Sequence, residues 1–417
     1  MSPHALIWTV AAAATVGVII RPFDWPEAVW AVTGAALLVL SGLLSPADAL
    51  AGAASGTDVY LFLAGMMLLA EVARREGLFD WLAAAATIWA RGSARRLFVL
   101  ICGVAIIVTT FLSNDATAVV LTPAVAAAVR AAKAPRPLPY LLICAFVANA
   151  ASFVLPISNP ANLVVYGSRM PVLMDWLPRY LPASALAIAA TCMMLRWTQR
   201  SELRQPLAMA PPLPRLTTGG KAAALGIAAT AIGLLVSSAL DVPLGLPTAV
   251  AGVLTAAFVL IETRTRPWPM LAGISWGVLP LVAGLFVLVR ALEETGLIAA
   301  LSAPLRDHAA DQQPAVAWAA GATAAVISNL VNNLPAGLVA GAAVVSAQAP
   351  ELVTRAILIG VNLGPNLSVT GSLATILWLA ALRREGVNVN AVTFFRLGLV
   401  VMPPALVLAL AGTLLWR

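Results

Sequence analysis

Ser113, Asn114 and Asp115 stand side by side in the middle of an apolar stretch, 97–129, whose one acid is that aspartate. A carboxylate at mid-bilayer costs roughly 2.5–3.5 kcal/mol on insertion scales, so something must offset it. Hydroxyl, amide and carboxyl in a row can hydrogen-bond a polar solute and exchange a proton. The same residue types recur in three more places. "NLVNNLP" at 329–335 holds Asn332 and Asn333, and "ANAASFVLPISNPANLVV" at 148–165 holds Asn149, Ser158, Asn159 and Asn162. "GVNLGPNLSVTGSLATIL" at 360–377 holds Asn362, Asn366, Thr370, Ser372 and Thr375. Pro156, Pro160, Gly364, Pro365 and Gly371 are poor mid-helix residues, so the last two runs are predicted to unwind and expose carbonyls and half-helix ends. These side chains are the candidate substrate-binding set. The plainer reading is that Asn and Ser hydrogen-bond neighbouring helices, as polar residues do in membrane bundles.

Asp115 is the only acid in the four segments. It is the candidate for proton coupling, one proton exchanged per transport cycle. The alternative is a cap, its carboxylate accepting backbone N–H bonds at the start of the following helix.

The elements that must position these residues are apolar. Of 417 residues, 61% are hydrophobic and 10% charged, against about 25% charged in soluble domains. Apolar runs close to membrane-spanning length recur along the chain, the signature of a polytopic membrane protein. The first run, 5–20, follows no basic leader and is read as a retained helix. The net charge of +7 sits in short loops, a pattern of membrane topology and not of nucleic-acid binding. Cys102, Cys144 and Cys192 lie in apolar runs without CxxC spacing, and His4 and His308 lie outside such runs. No metal or cofactor is expected.

The proline-rich basic segment 196–220 reads as a cytoplasmic linker between halves 1–195 and 221–417. Ala64-Gly65 and Gly77-Leu78 reappear as Ala283-Gly284 and Gly296-Leu297, an offset of 219 that also places Asn114 on Asn333. At an offset of 213, Asn149 and "SNPAN" (158–162) fall on Asn362 and "GSLAT" (371–375). Such internal repeats mark secondary transporters. Assigning the basic loops around Arg21, Arg74 to Arg96, Arg130 to Arg136, the linker, Arg264 to Arg266 and Arg383 to Arg384 to the cytoplasm puts both termini outside. Each half then has an odd number of spans, and the repeats are inverted. As a helix, 97–129 would measure about 50 Å, too long for one crossing of a core about 30 Å thick. Both of its ends are basic, so it is predicted to enter, turn at Ser113–Asp115 and return as a re-entrant hairpin. Segment 314–345, with Asp307 and Asp311 before it and Glu351 after it, is predicted to be the mirror hairpin from outside. The unwound runs become broken helices over 138–168 and 352–382. The expected fold is an all-α polytopic membrane protein with about ten transmembrane helices in two inverted repeats.

"FLSNDATAVVLTPAV", "ISNLVNNLPAGLVAG" and "NLGPNLSVTGSLATILWL" resemble the arsenite efflux permeases, the membrane component of arsenical resistance pumps. These belong to a superfamily that includes sodium-coupled dicarboxylate symporters. The resemblance covers nearly the whole chain. It implies export of arsenite and antimonite across the plasma (inner) membrane in exchange for protons, by alternating access, sometimes with a cytoplasmic ATPase partner. Some relatives carry Cys-Asp where this chain has Val361-Asn362, so an acidic role is not carried over there. Arsenous acid is a neutral trihydroxide near pH 7, and its recognition calls for hydrogen-bonding groups without a countercharge. A three-thiolate arsenic site is disfavoured by the cysteines' positions outside the tips and unwound runs. Other cargoes in the superfamily are a sodium/proton exchange, silicate or borate, or a dicarboxylate. The last would call for cationic or sodium-assisted sites, and no Lys or Arg occurs in the four quoted segments. An intramembrane enzyme would need a nucleophile–base pair or metal ligands, and neither HExxH nor a histidine at depth occurs.

Overall fold

The structure, a computed structural model, describes residues 2–208, 215–309 and 312–415. Asp311, and 209–214 of the linker, lie outside the described residues. The described chain is helical, with no strand.

Its first run of elements is α1 (Pro3–Ile20), α2 (Glu27–Leu40), α3 (Pro46–Ser55), α4 (Thr57–Arg75), α5 (Leu78–Ala90), α6 (Ala94–Phe111), α7 (Asn114–Ala116), α8 (Thr122–Ala131), α9 (Leu138–Ala150), α10 (Pro160–Tyr166) and α11 (Leu173–Thr198). The second run is α12 (Thr218–Ala239), α13 (Gly245–Thr263), α14 (Pro267–Gly273), α15 (Val278–Glu294), α16 (Leu297–Ala309), α17 (Gln313–Val331), α18 (Asn333–Ala347), α19 (Glu351–Leu363), α20 (Leu373–Arg384) and α21 (Ala391–Leu414). Seven of these helices are long and apolar enough to cross a bilayer, and the bent pairs α3–α4 (47°) and α14–α15 (42°) bring the number to nine. Large apolar side chains are exposed around the molecule, Leu40 at 84% and Ile261 at 77% among them. That surface suits hydrocarbon and would not suit water. The chain is a multi-pass membrane protein.

Packing between the runs is reciprocal: α4 lies on α13, and α15 lies on α2. Each contact needs a glycine. A Cβ on Gly65 of α4 would lie 2.3 Å from the Thr248 carbonyl oxygen, and one on Gly284 of α15 would lie 2.7 Å from the Ala31 carbonyl carbon. In a membrane, where apolar burial gives little drive between helices, such close backbone approach supplies the van der Waals contact. Glu71 of α4 is buried, not at a surface as its place near the helix end suggests. It is gripped by Arg74 at 2.6 Å and Arg75 at 2.8 Å, which compensates its burial.

The core holds Trp176, Trp378, Tyr180, Phe146 and Phe153, all buried, around the places where helices stop in mid-protein.

Candidate substrate site at the helix breaks

The first break follows α6. Ser113 is fully extended (φ 179, ψ 166), and its Oγ accepts the Ala116 N–H at 3.1 Å, starting a new helix. A π turn over Thr117–Leu121 links this start to α8. Pro123 lacks an N–H and crowds the preceding turn, which accounts for the widening. Thr122 Oγ1 donates to the freed Ala118 carbonyl at 2.7 Å. Across the turn Thr109 and Thr117 share a 2.7 Å hydroxyl contact. Asn114 is buried, and its Oδ1 has no hydrogen-bond partner among the described residues. Asp115 is partly buried and has no hydrogen bond or ion pair within the described protein.

The second break follows α17. Asn332 has φ 75 and ψ 151, a strained conformation that is otherwise almost confined to glycine. Its Oδ1 accepts the Leu334 N–H at 3.3 Å, and its Nδ2 donates to the Thr370 carbonyl at 3.4 Å. Asn333 beside it is buried. Asn332 also lines a cavity of about 10 Å³ with Leu334, Pro335, Leu373 and Glu27, and Glu27 is ion-paired to Arg21.

The other two breaks separate α9 from α10 and α19 from α20. Buried amides join them. Asn149 Nδ2 donates to Asn366 Oδ1 at 3.0 Å, and Asn366 Nδ2 donates to the Phe146 carbonyl at 3.0 Å. Asn362 Oδ1 accepts from Ser152 Oγ at 2.5 Å and from Asn159 Nδ2 at 2.7 Å. Its Nδ2 donates to Asn162 Oδ1 at 3.0 Å and the Leu358 carbonyl at 2.8 Å. Asn162 Nδ2 in turn serves the carbonyls of Ser152, Leu155 and Pro156 within 2.8–3.3 Å. The Trp176 indole lies 3.2 Å from the Val154 carbonyl. Unwound backbone this deep is tolerated because these side chains satisfy it.

Helix starts recur at matching places. Asn159 Oδ1 accepts the Ala161 N–H at 3.0 Å at the head of α10, and Ser372 Oγ accepts the Thr375 N–H at 3.1 Å at the head of α20. Ser158 Oγ donates to the Thr110 carbonyl at 3.1 Å, tying α10 to the first tip. Ser372 and Thr375 also share a 2.8 Å hydroxyl contact. Past its middle, α18 packs closely on the end of α10: a Cβ on Gly341 would meet the Val164 and Val165 carbonyls at 2.8 Å.

The sequence-derived candidates therefore divide by engagement. Asn149, Asn159, Asn162, Asn362 and Asn366 bind one another or nearby backbone, leaving Asn149 Oδ1 as a partnerless atom. Ser113, Asn332 and Ser372 cap helices, and Asn114, Asp115 and Asn333 face the tips with the most freedom. Sequence reasoning missed four participants. Ser152 is in the quoted 148–165 run, and its place between Asn149 and Pro156 was a usable signal. Asn329 accepts from Ser368 Oγ at 2.8 Å through Oδ1, and Thr370 Oγ1 donates to its carbonyl at 3.3 Å. Arg355 is a buried cation on α19, conspicuous as the one basic residue of a helix whose other charge, Glu351, stands at its start. Nothing local marked Glu27.

The model of the citrate transporter family matches residues 15–360. An arsenical pump membrane protein of Escherichia coli is 27% identical over 404 residues, covering 92% of each chain. An uncharacterized transporter of Mycobacterium tuberculosis is 26% identical and covers 93% of this chain and 92% of its own. Among solved structures, the YdaH transporter of Alcanivorax borkumensis superposes with a TM-score of 0.57 at 15% identity, covering 88% of this chain and 86% of that one. That likeness speaks to the fold.

Proposed function

The chain belongs to the citrate transporter family and is a membrane transporter, and from that premise we propose that it exports arsenite and antimonite in exchange for protons. The observation that carries the reading is the character of the helix breaks: amides and hydroxyls, one carboxyl, and no Lys or Arg within the four quoted segments. A neutral trihydroxide offers donors and acceptors to match such a lining. The relatives named as arsenical pump membrane proteins support the cargo.

In this reading ten spans cross the membrane: α1, α2, α3–α4, α9–α10 and α11, then α12, α13, α14–α15, α19–α20 and α21. The two runs form inverted repeats, supported by the matching element order and the reciprocal packing of α4 on α13 and α15 on α2. Segments α6–α8 and α17–α18 are re-entrant hairpins whose tips meet the broken helices near the midplane. Both termini face outward from the plasma membrane, on the evidence of the basic loops. Substrate contacts fall to Ser113, Asn114, Asn332 and Asn333, with Ser372 and Thr375 at the head of α20. The buried amides Asn149, Asn162, Asn362 and Asn366 hold the breaks open. Asp115 carries the proton. Alternating access moves the hairpins and broken helices against the outer helices, and a cytoplasmic arsenite-stimulated ATPase is the partner this reading allows.

The family description favours a second reading, a carboxylate carrier, and helix starts such as that of α18 suit an anion. Uptake into everted membrane vesicles separates the two. Accumulation of arsenite, dependent on an imposed proton gradient, is the expected result. Citrate transport with no arsenite transport by correctly inserted protein would replace the cargo.

A further inference from the structure

Two clefts open side by side where the end of α5 and the start of α6 meet the end of α11. The larger, about 570 Å³, is lined by Arg91, Arg95, Arg96 and Arg196 with Trp89 and Val99. The smaller, about 370 Å³, shares Arg95 and Arg196 and adds Arg200 and Arg204 with Trp197 and Met193. None of these six arginines forms an ion pair within the described protein. The nearby Glu202 is engaged by Arg136 instead, and the Arg200 guanidinium lies 5.6 Å from the Trp197 ring centroid. Six cations on one rim repel one another, and an anion seated between them relieves that repulsion.

The rest of the lining says where the anion comes from. Trp89 and Trp197 are 63% and 55% exposed, and tryptophan settles at headgroup level. Beside the arginines, Val99 and Met193 point outward from α6 and α11, 54% and 55% exposed. A soluble phosphate would use the arginines and leave this apolar wall bare. A phospholipid uses both. The clefts share two arginines, so two phosphates held side by side fit better than one.

We propose that this rim binds an anionic phospholipid carrying two phosphates, of the diphosphatidylglycerol type. Each phosphate sits in one arginine cleft, and the acyl chains run along Val99 and Met193. The bound lipid clamps the start of α6, the helix that leads to Ser113, against the end of α11. The inference is independent of the cargo, because it is read by lipid binding alone.

The test uses the purified full-length chain in detergent, with thermal unfolding and native mass spectrometry in parallel. Diphosphatidylglycerol is expected to raise the unfolding temperature and to bind more tightly than phosphatidylglycerol. Phosphatidylcholine and inorganic pyrophosphate are expected to do neither. At about 1 kcal/mol per arginine near the membrane surface, Arg95→Gln with Arg196→Gln should weaken binding about 30-fold. Arg264→Gln with Arg266→Gln, in a different basic loop, should leave it unchanged. Should the first double variant fail to fold, Arg200→Gln at the cleft edge should weaken binding about fivefold. Equal binding by the cleft variants, equal stabilisation by phosphatidylcholine, or full stabilisation by pyrophosphate would each overturn the proposal.

Discussion

The two tips start helices at matching positions, Ser113 and Asn332, yet they are anchored differently. Behind the second tip, α17 lies directly on α19. A Cβ on Gly360 would stand 2.1 Å from the Gly321 carbonyl oxygen, and one on Gly364 would stand 2.0 Å from Ser328 Oγ. Asn332 then fastens the tip to the Thr370 carbonyl. Behind the first tip, the α6 glycine, Gly103, has nothing within 4 Å of its would-be Cβ. The first tip carries the carboxyl of Asp115 and the partnerless Asn114 Oδ1, while the second carries amides alone. One tip is held by backbone contact, and the other keeps chemistry and room. Two tips at matching sequence positions therefore differ in how they are held.

The largest expected effect tests the chemical half of that contrast. Asp115→Asn should cut proton-driven arsenite accumulation in everted vesicles by about 100-fold, the lower range for loss of a proton-transfer group. Arsenite binding, followed by calorimetry, should persist. An unchanged pH-gradient response would move the proton elsewhere.

The mechanical half is tested by glycines. Gly360→Leu must force α17 off α19 and should cost about 3 kcal/mol, with a clear fall in unfolding temperature. Gly103→Leu should change stability by no more than about 0.5 kcal/mol. Similar costs at both sites would erase the distinction. Asn332→Ala places a Cβ-bearing residue without a cap at φ 75 and should cost about 2 kcal/mol, whereas Asn332→Gly should cost less than about 1 kcal/mol. The smallest effect belongs to Ser113→Ala. That residue is extended without strain, so only its cap is lost, about 1 kcal/mol by thermal unfolding.

How much of this could be read from the sequence depends on how local the cause is. Apolar runs carry the membrane assignment, because hydrophobicity needs no partner. Pro160 after Asn159, and Gly371 before Ser372, are local signals of where α10 and α20 begin, since breaker and cap act within one turn. The motif strings were enough to place the chain beside arsenical pump membrane proteins. The partners of the amides were not legible. Asn362 reads as a free donor and acceptor in its own segment, and its engagement by Ser152, Asn159 and Asn162 appears only when the halves meet. Sequence gave no way to rank Asn114, with a partnerless oxygen, above Asn162, whose Nδ2 reaches three carbonyls. The π turn before Pro123 and the backbone contact at Gly360 likewise depend on tertiary packing. The spans that pass on length and composition number seven to nine against the expected ten or so. The 14-residue α2 and the broken segments, cut into short helices at 150 and 363, escape such a criterion, while α6 and α17, read as hairpin arms, meet it.

The amide hub also bears on how the protein is made. Asn149, Asn159 and Asn162 precede their partners Asn366 and Asn362 by 217, 203 and 200 residues. At ordinary translation rates of about 5–20 residues per second, the early half waits on the order of 10–40 s for the late half to emerge. During that interval the first half's amides and its unwound turn need water or an insertion factor, because hydrocarbon cannot serve them. Biogenesis therefore has a vulnerable window, closed when Asn362 arrives.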